Sequence, residues 1–159
     1  MLEKENLQTQ MIRLDLEEDT LLVVTSDHGE EFFEHGGKTH RGSVHRESIA
    51  VPLILRWPAG LAAGKVITDT VGLVDLTPTI LEATDCQHEA PMGGRSLLPL
   101  AQGAMGDPRT YLSELLVFKE GQEAPLRRSS WIRGHEQITR DQRGPGPASL
   151  THFDWDEEG

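Results

Sequence analysis

Thr20 to Thr25, TLLVVT, is the stretch that most restricts what this chain can become. It is continuously apolar, rich in valine and too short for a helix, so it reads as a strand covered on both faces, central rather than edge. Directly behind it the character reverses: TSDHGEEFFEHGG, Thr25 to Gly37, is dominated by carboxylates, imidazoles and glycine. From Ser26 to Glu47 no helical or strand period is sustained, which marks a long loop. Loops of that length inside a compact domain are usually functional or disordered.

Around this junction the chain alternates. Leu7, Met11 and Leu14 lie at helical spacing, so residues 4–16 read as an amphipathic helix ending near Asp15, with Glu17–Asp19 as a polar turn. Val51 to Trp57 is a second buried strand bounded by Pro52 and Pro58. Asp75 can cap a helix through Ala83, with Pro78 tolerated in the first turn and Leu76, Ile80 and Ala83 as its buried stripe. Residues 89–106 read as irregular connection around Leu97, Leu98 and Leu100. Tyr111 to Phe118 is a third strand, Arg127 to Arg140 a hairpin turning at Gly134, and RGPGPA (Arg143 to Ala148) a break before an acidic end. This order gives an α/β class with strands apolar enough to be parallel, but with fewer strands than a doubly wound sheet has. The chain therefore reads as the late part of a larger domain.

A formal charge of −11 and the lack of a basic stripe exclude nucleic acid as a partner. No run of eighteen apolar residues exists, and MLEKENLQTQ lacks the basic-then-apolar order of an export signal, so neither anchor nor signal is expected. With one cysteine, Cys86, an internal disulfide and a Cys-rich zinc site are excluded.

In open α/β sheets ligands gather beyond the carboxyl ends of strands, where Asp27 and His28 fall. A carboxylate and a neutral imidazole side by side can grip one divalent cation, and Gly29 lets the backbone turn. Two donors do not close a site, and Glu30, Glu31, Glu34, His35, His40 and His45 are candidates to join. The competing reading makes Asp27 an Asx-turn residue and Glu30 and Glu31 a solvated acidic loop, which is favoured for both glutamates. Phe32 and Phe33 are expected to pack the loop against the domain. Near a bound metal and an anionic ester, His40 could donate a proton to the departing oxygen, while Lys38 and Arg41 could neutralise an ester oxygen.

TSDHGEEFFEHGG with Lys38 and His40, then HRESIAVPLILRWP, VDLTPTILEATDC and GGRSLLPLAQG in order, resembles the C-terminal half of the catalytic domain of sulfatases, in the alkaline phosphatase superfamily. The resemblance runs over about residues 10–105. It implies an alkaline-phosphatase-like mixed, mainly parallel sheet flanked by helices over residues 1–105, followed by the start of a smaller β-rich subdomain at 106–159. It implies Asp27 and His28 as metal ligands, with calcium the usual cation and manganese or magnesium in some relatives. His40 or Lys38 would contact the substrate or leaving group, Glu47 would stabilise the loop, and the segment from Pro91 to Leu98 would be structural. The family's formylglycine nucleophile comes from a C/S-x-P-S-R motif that these residues do not contain, so it is expected upstream. Cys86 reads as a partly buried structural thiol. The implied reaction is hydrolysis of a small-molecule or carbohydrate sulfate ester. The competing expectations are a phosphodiesterase or phosphonate hydrolase of the same superfamily, and a non-catalytic fragment.

Overall fold

The computed structural model describes residues 6–40, 42–118 and 120–155. In chain order they form α1 (Leu7–Arg13), β1 (Leu22–Thr25), α2 (Arg46–Ile49), β2 (Leu53–Arg56), a 3-10 turn (Leu73–Asp75), α3 (Leu76–Ala83), α4 (Leu98–Gln102), β3 (Tyr111–Val117), β4 (Leu126–Arg133), β5 (Glu136–Arg143) and β6 (Ala148–Asp154). Two compact units share them: one takes Met1–Thr25, Leu53–Thr68 and Leu73–Gly106, the other Ser26–Pro52, Asp69–Gly72 and Asp107–Gly159.

In the first unit, α1 starts where the Asn6 side chain accepts from the Thr9 N–H at 2.9 Å. It stops at Asp15, whose φ of 56° no helix continues. The helix is shorter than the spacing predicts, residues 4 and 5 lie outside the described residues, and of its apolar stripe only Met11 is buried. β1 and β2 pair antiparallel, Leu22 opposite Arg56 and Thr25 opposite Leu53. The parallel direction and double cover expected from composition are not what these residues form: Val24 and Ile54 sit opposite each other with 46% and 59% of their surface exposed. An apolar run encodes burial tendency but not strand direction, which the connection decides, and here no long crossover helix intervenes.

α3 packs through polar groups. Its buried positions are Asp75, Pro78 and Thr79, whereas Ile80 is exposed. Asp75 does not cap its own helix with its side chain; its Oδ1 accepts from the Arg95 N–H at 2.9 Å. Thr79 Oγ1 donates to the Asp75 carbonyl at 2.6 Å and accepts from the Leu97 N–H at 2.8 Å. Gly94 fits because a Cβ there would stand 2.0 Å from the Val74 carbonyl oxygen. This knot shapes the segment before α4, where a short helix replaces the expected irregular stretch, ending at Gly103 with φ 111°. Lys65 Nζ donates to the Leu100 and Ala101 carbonyls, the charge that a helix C-terminus favours. Cys86 is exposed, not partly buried, because the chain leaves α3 at Thr84 and Asp85 adopts φ 51° before it.

The second unit holds a four-stranded antiparallel sheet in the order β3-β4-β5-β6. β4 and β5 form the expected hairpin, with Arg133 opposite Glu136 and Gly134 at φ 60°, the first central position where a II′ turn requires glycine. β6 was not foreseen: its polar THFD ending pairs with β5 through Phe153 opposite Gln137. The buried side chains of β4 and β5 are mostly polar: Ser129, Ser130, Gln137 and Thr139 beside Ile132. Gln137, 1% exposed, uses its whole amide. Its Nε2 donates to the Val44 carbonyl and to Ser130 Oγ, each at 2.8 Å, and its Oε1 accepts from Trp155 Nε1 at 3.2 Å. Val44 belongs to the long loop, which is thereby tied to the sheet.

Two substitutions test these polar knots. Gln137→Leu keeps the bulk but strands the Val44 carbonyl, and urea unfolding should show a loss of about 2–3 kcal/mol with faster amide exchange across residues 26–52. Thr79→Val, equal in shape, strands the Leu97 N–H and should cost about 1–3 kcal/mol in the same measurement.

Candidate functional site: the loop after β1

β1 ends at Thr25, and the next residues close on themselves. Ser26 Oγ donates to the His28 carbonyl at 2.8 Å, and the His28 N–H donates to Asp27 Oδ1 at 3.0 Å. Gly29 then meets α2 at close range: its N–H donates to the Ser48 carbonyl at 2.9 Å, and a Cβ would fall 2.1 Å from the Glu47 oxygen. Only glycine fits this approach. The His28 ring is fixed as well, since Nδ1 lies 2.9 Å from the Gly29 carbonyl, which can only accept. Nδ1 therefore carries a proton, and Nε2 lies 3.6 Å from Asp27 Oδ2.

Residues 31–39 form a small hairpin around one carboxylate. Glu31 is 3% exposed, so it is no solvated loop residue. Its Oε1 accepts from the His35 and Gly37 N–H groups at 3.2 and 3.0 Å, and its carbonyl accepts from Thr39 at 3.0 Å. Backbone donors at the tip supply what water would have given it. Phe32 bridges to Lys38, and the Glu34 carboxylate accepts from the Phe32 N–H. Phe33 and Thr39 hold φ of 76° and 81°, positions few non-glycine residues adopt. Phe32 and Phe33 are 66% and 65% exposed and do not pack the loop down; the carboxylate does that instead.

The hairpin brings its two flanks together. His40 Nδ1 lies 3.1 Å from Glu30 Oε2, and the His40 ring stacks on His28 with centroids 3.8 Å apart. One ligand atom from each of His28, Glu30 and His40 lies within 4.8 Å of the other two. Asp27 stands outside this trio with 83% of its side chain exposed, its carboxyl held below the usual range first by the His28 charge, then by hydrogen bonds from the backbone and Ser26. Lys38 is also outside it, with Nζ 5.9 Å from the Phe33 ring centre. Arg41 lies outside the described residues.

The other two histidines form a separate pair. His35 and His45 stack at 3.9 Å, Phe153 of β6 meets both edge-on, and His35 Nε2 lies 3.2 Å from Glu47 Oε2. Burial, then the neighbouring His35 charge, lowers the His45 pKa below 6.5, with Arg128 acting the same way and Glu31 and Glu47 opposing. His45 Nδ1 has no hydrogen-bond partner among the described residues. Of the candidate donors read from sequence, His35, His45 and Glu31 thus brace the loop, while Glu30, set aside as solvated, meets His40. The three-residue frame from His28 to Glu30 across a glycine was the signal that could have promoted it.

The profile of the family described as Sulfatase matches residues 6–86. The chain belongs to the sulfatase family. The match takes in β1, the whole loop and α3. This sulfatase-family chain is 37% identical over 89 residues to arylsulfatase K of Homo sapiens, covering 56% of itself and 16% of that protein. It is 31% identical over 104 residues to steryl-sulfatase of Mus musculus, covering 57% of itself and 17% of the relative. Among solved structures, phosphonate monoester hydrolase SpPMH from Silicibacter pomeroyi superposes with a TM-score of 0.78 at 25% identity, over 95% of this chain and 31% of that one. The chain therefore spans about a sixth of the length of these curated relatives and under a third of that solved chain.

The lowered His45 pKa implies an acid-sensitive fold. A histidine whose folded pKa is lowered contributes stability above its unfolded value near 6.5, and that contribution is lost as pH falls from there through the folded value. Urea unfolding followed from pH 8 to 5 should show stability falling below about 6.5, and His45→Phe should flatten that fall.

Proposed function

We propose that these residues supply half of the metal and ester site of a sulfuric ester hydrolase of the sulfatase type. The observation that carries the reading is the convergence of His28, Glu30 and His40 beyond β1, beside Asp27, inside the matched region. In this reading Asp27 and His28 hold a divalent cation: His28 Nε2 and Asp27 Oδ2 lie 3.6 Å apart at the loop's start, and the exposed Asp27 carboxylate is ionised at neutral pH. Such a cation supplies Lewis-acid charge stabilisation to the ester oxygens. Lys38 and His40 act on the ester from the same loop, Lys38 as a positive charge toward an equatorial oxygen and His40 as a hydrogen-bond or proton donor to the departing oxygen. The nucleophile is a formylglycine from sequence outside these 159 residues. Residues 1–105 belong to the catalytic domain and 106–159 begin a smaller subdomain. The substrate is a small-molecule or carbohydrate sulfate ester, a class consistent with the arylsulfatase and steryl-sulfatase relatives.

A second reading, a phosphonate monoester hydrolase, is favoured by the superposition on SpPMH. A panel of p-nitrophenyl sulfate and p-nitrophenyl phenylphosphonate, run on a full-length polypeptide carrying these residues, separates the two. Sulfate turnover is expected to exceed phosphonate turnover, and Asp27→Ala and His28→Ala should each lower kcat/KM at least about 100-fold. Turnover and bound metal unchanged in both variants would sink the assignment.

A further inference from the structure

Alternate residues along a strand face the same side of its sheet, so Gln137, Thr139 and Asp141 of β5 share one face with Ser149, Thr151 and Phe153 of β6. The long loop covers that face where Gln137 reaches the Val44 carbonyl and Phe153 meets His35 and His45. Next to Val44 and His45 a cavity of about 130 Å³ remains, walled by Arg128, Thr139, Asp141, Ser149 and Thr151. We propose that this cavity is a binding site for a small neutral polyhydroxyl compound, such as one edge of a sugar ring. Its walls include none of Asp27, His28, Lys38 and His40, so the inference stands apart from the ester reaction.

Two of the wall residues carry buried polar atoms with no partner among the described residues, Arg128 Nε and His45 Nδ1. A guanidinium Nε–H can only donate, and a buried donor needs an acceptor. The other side of the guanidinium is committed: Nη2 donates to Asp141 Oδ2 at 3.0 Å, between residues that are direct cross-strand partners. The covalent frame of Arg128 thus sets an unmet donor beside a carboxylate that accepts. Ser149 stands opposite Asp141, and the next row brings Thr139, 7% exposed, opposite Thr151. Their hydroxyls turn to donate or accept as an occupant requires. Ser149 and Thr151 are themselves exposed and leave the cavity reachable from solvent.

Charge decides the class of occupant. Arg128 is always protonated and repels a cation. Asp141 shares the space, and Glu31 and Glu47 act on His45 from the loop, so an anion is resisted as well. His45 adds no charge at neutral pH, since burial and then the His35 charge hold its pKa below 6.5. An apolar molecule would leave the Arg128 and His45 nitrogens dry. A neutral molecule that accepts from one group and donates to its neighbour satisfies them, and adjacent hydroxyls do both. An apolar cavity of about 150 Å³ takes up benzene, so the volume here suits glycerol or one edge of a sugar ring. Water fills a polar cavity of this kind until then, and a polyol displaces it by reproducing its hydrogen bonds.

The test is polyol binding by the chain itself, followed by NMR of the histidine rings near neutral pH. Glycerol and glucose should each shift the His45 ring resonances along a saturable millimolar curve, leaving in place those of His88 and of His152, which lies on the opposite face of β6. Trimethylene glycol, whose hydroxyls are not adjacent, and acetamide should bind at least about 5-fold more weakly. Arg128→Lys, which keeps the charge but lacks the Nε–H, and Asp141→Asn should each weaken glucose by at least about 5-fold. Should a variant misfold, the unaltered chain still answers through the ligand series. Sodium sulfate, calcium chloride or acetamide saturating His45 at lower concentration than glucose would overturn the proposal. So would equal shifts at His88 and His152, or no saturable shift with either polyol, the behaviour of a cavity that holds water only.

Discussion

The second unit depends on one sealed amide. Gln137 sits on β5 with both donors and its acceptor committed, to the Val44 carbonyl, Ser130 and Trp155. An amide taken out of water is destabilising unless it is paired, and its full pairing makes the arrangement hard to replace piecemeal. It matters because Ser26–Pro52 has almost no apolar anchorage: Val44 is the segment's fully buried hydrophobic side chain among the described residues. The loop is held by polar groups with directional demands, at Gln137, at Glu31 and at the Gly29–Ser48 contact. Such restraints fix geometry more narrowly than greasy contact does.

Directional restraint sorts four histidines into two uses. His35 and His45 stack on each other against Phe153, where burial lowers the His45 pKa, and they serve as flat packing surfaces. His28 and His40 stack in a more open place with a carboxylate beside them. Residue type is the same in both pairs, and environment separates a pair packed under an aromatic ring from a pair beside a carboxylate.

Much of this was readable in advance. TLLVVT followed by SDHG marks a candidate site at a strand's end, and Gly134 marks the turn of the hairpin read over Arg127 to Arg140, despite its thin apolar content. Other features were hidden for physical reasons. Strand direction in β1 and β2 is not a property of either segment. Glu31 and Glu30 are adjacent and identical in type, so no local pattern says that one is sealed and the other stays partly exposed; that follows from where the His35 and Gly37 N–H groups arrive. Phe32 and Phe33 mislead because aromatic residues usually signal burial. β6 carries a polar sequence that becomes a strand only when β5 offers an unpaired edge.

Thr39 stands one residue before His40 in a left-handed backbone conformation that a β-branched side chain resists, and Phe33 does the same at the hairpin's tip. Conformations of this sort cost on the order of 1–3 kcal/mol each and persist only where their surroundings over-determine them. The loop is thus under tension at rest, with the Glu31 clasp keeping it wound. Glycine at position 39 would relax it, giving a more stable chain in which His40 samples a wider arc. Random mutagenesis scored on thermal stability alone would drift toward such relaxed loops, whereas scoring on function should return threonine or another side chain that keeps the spring loaded.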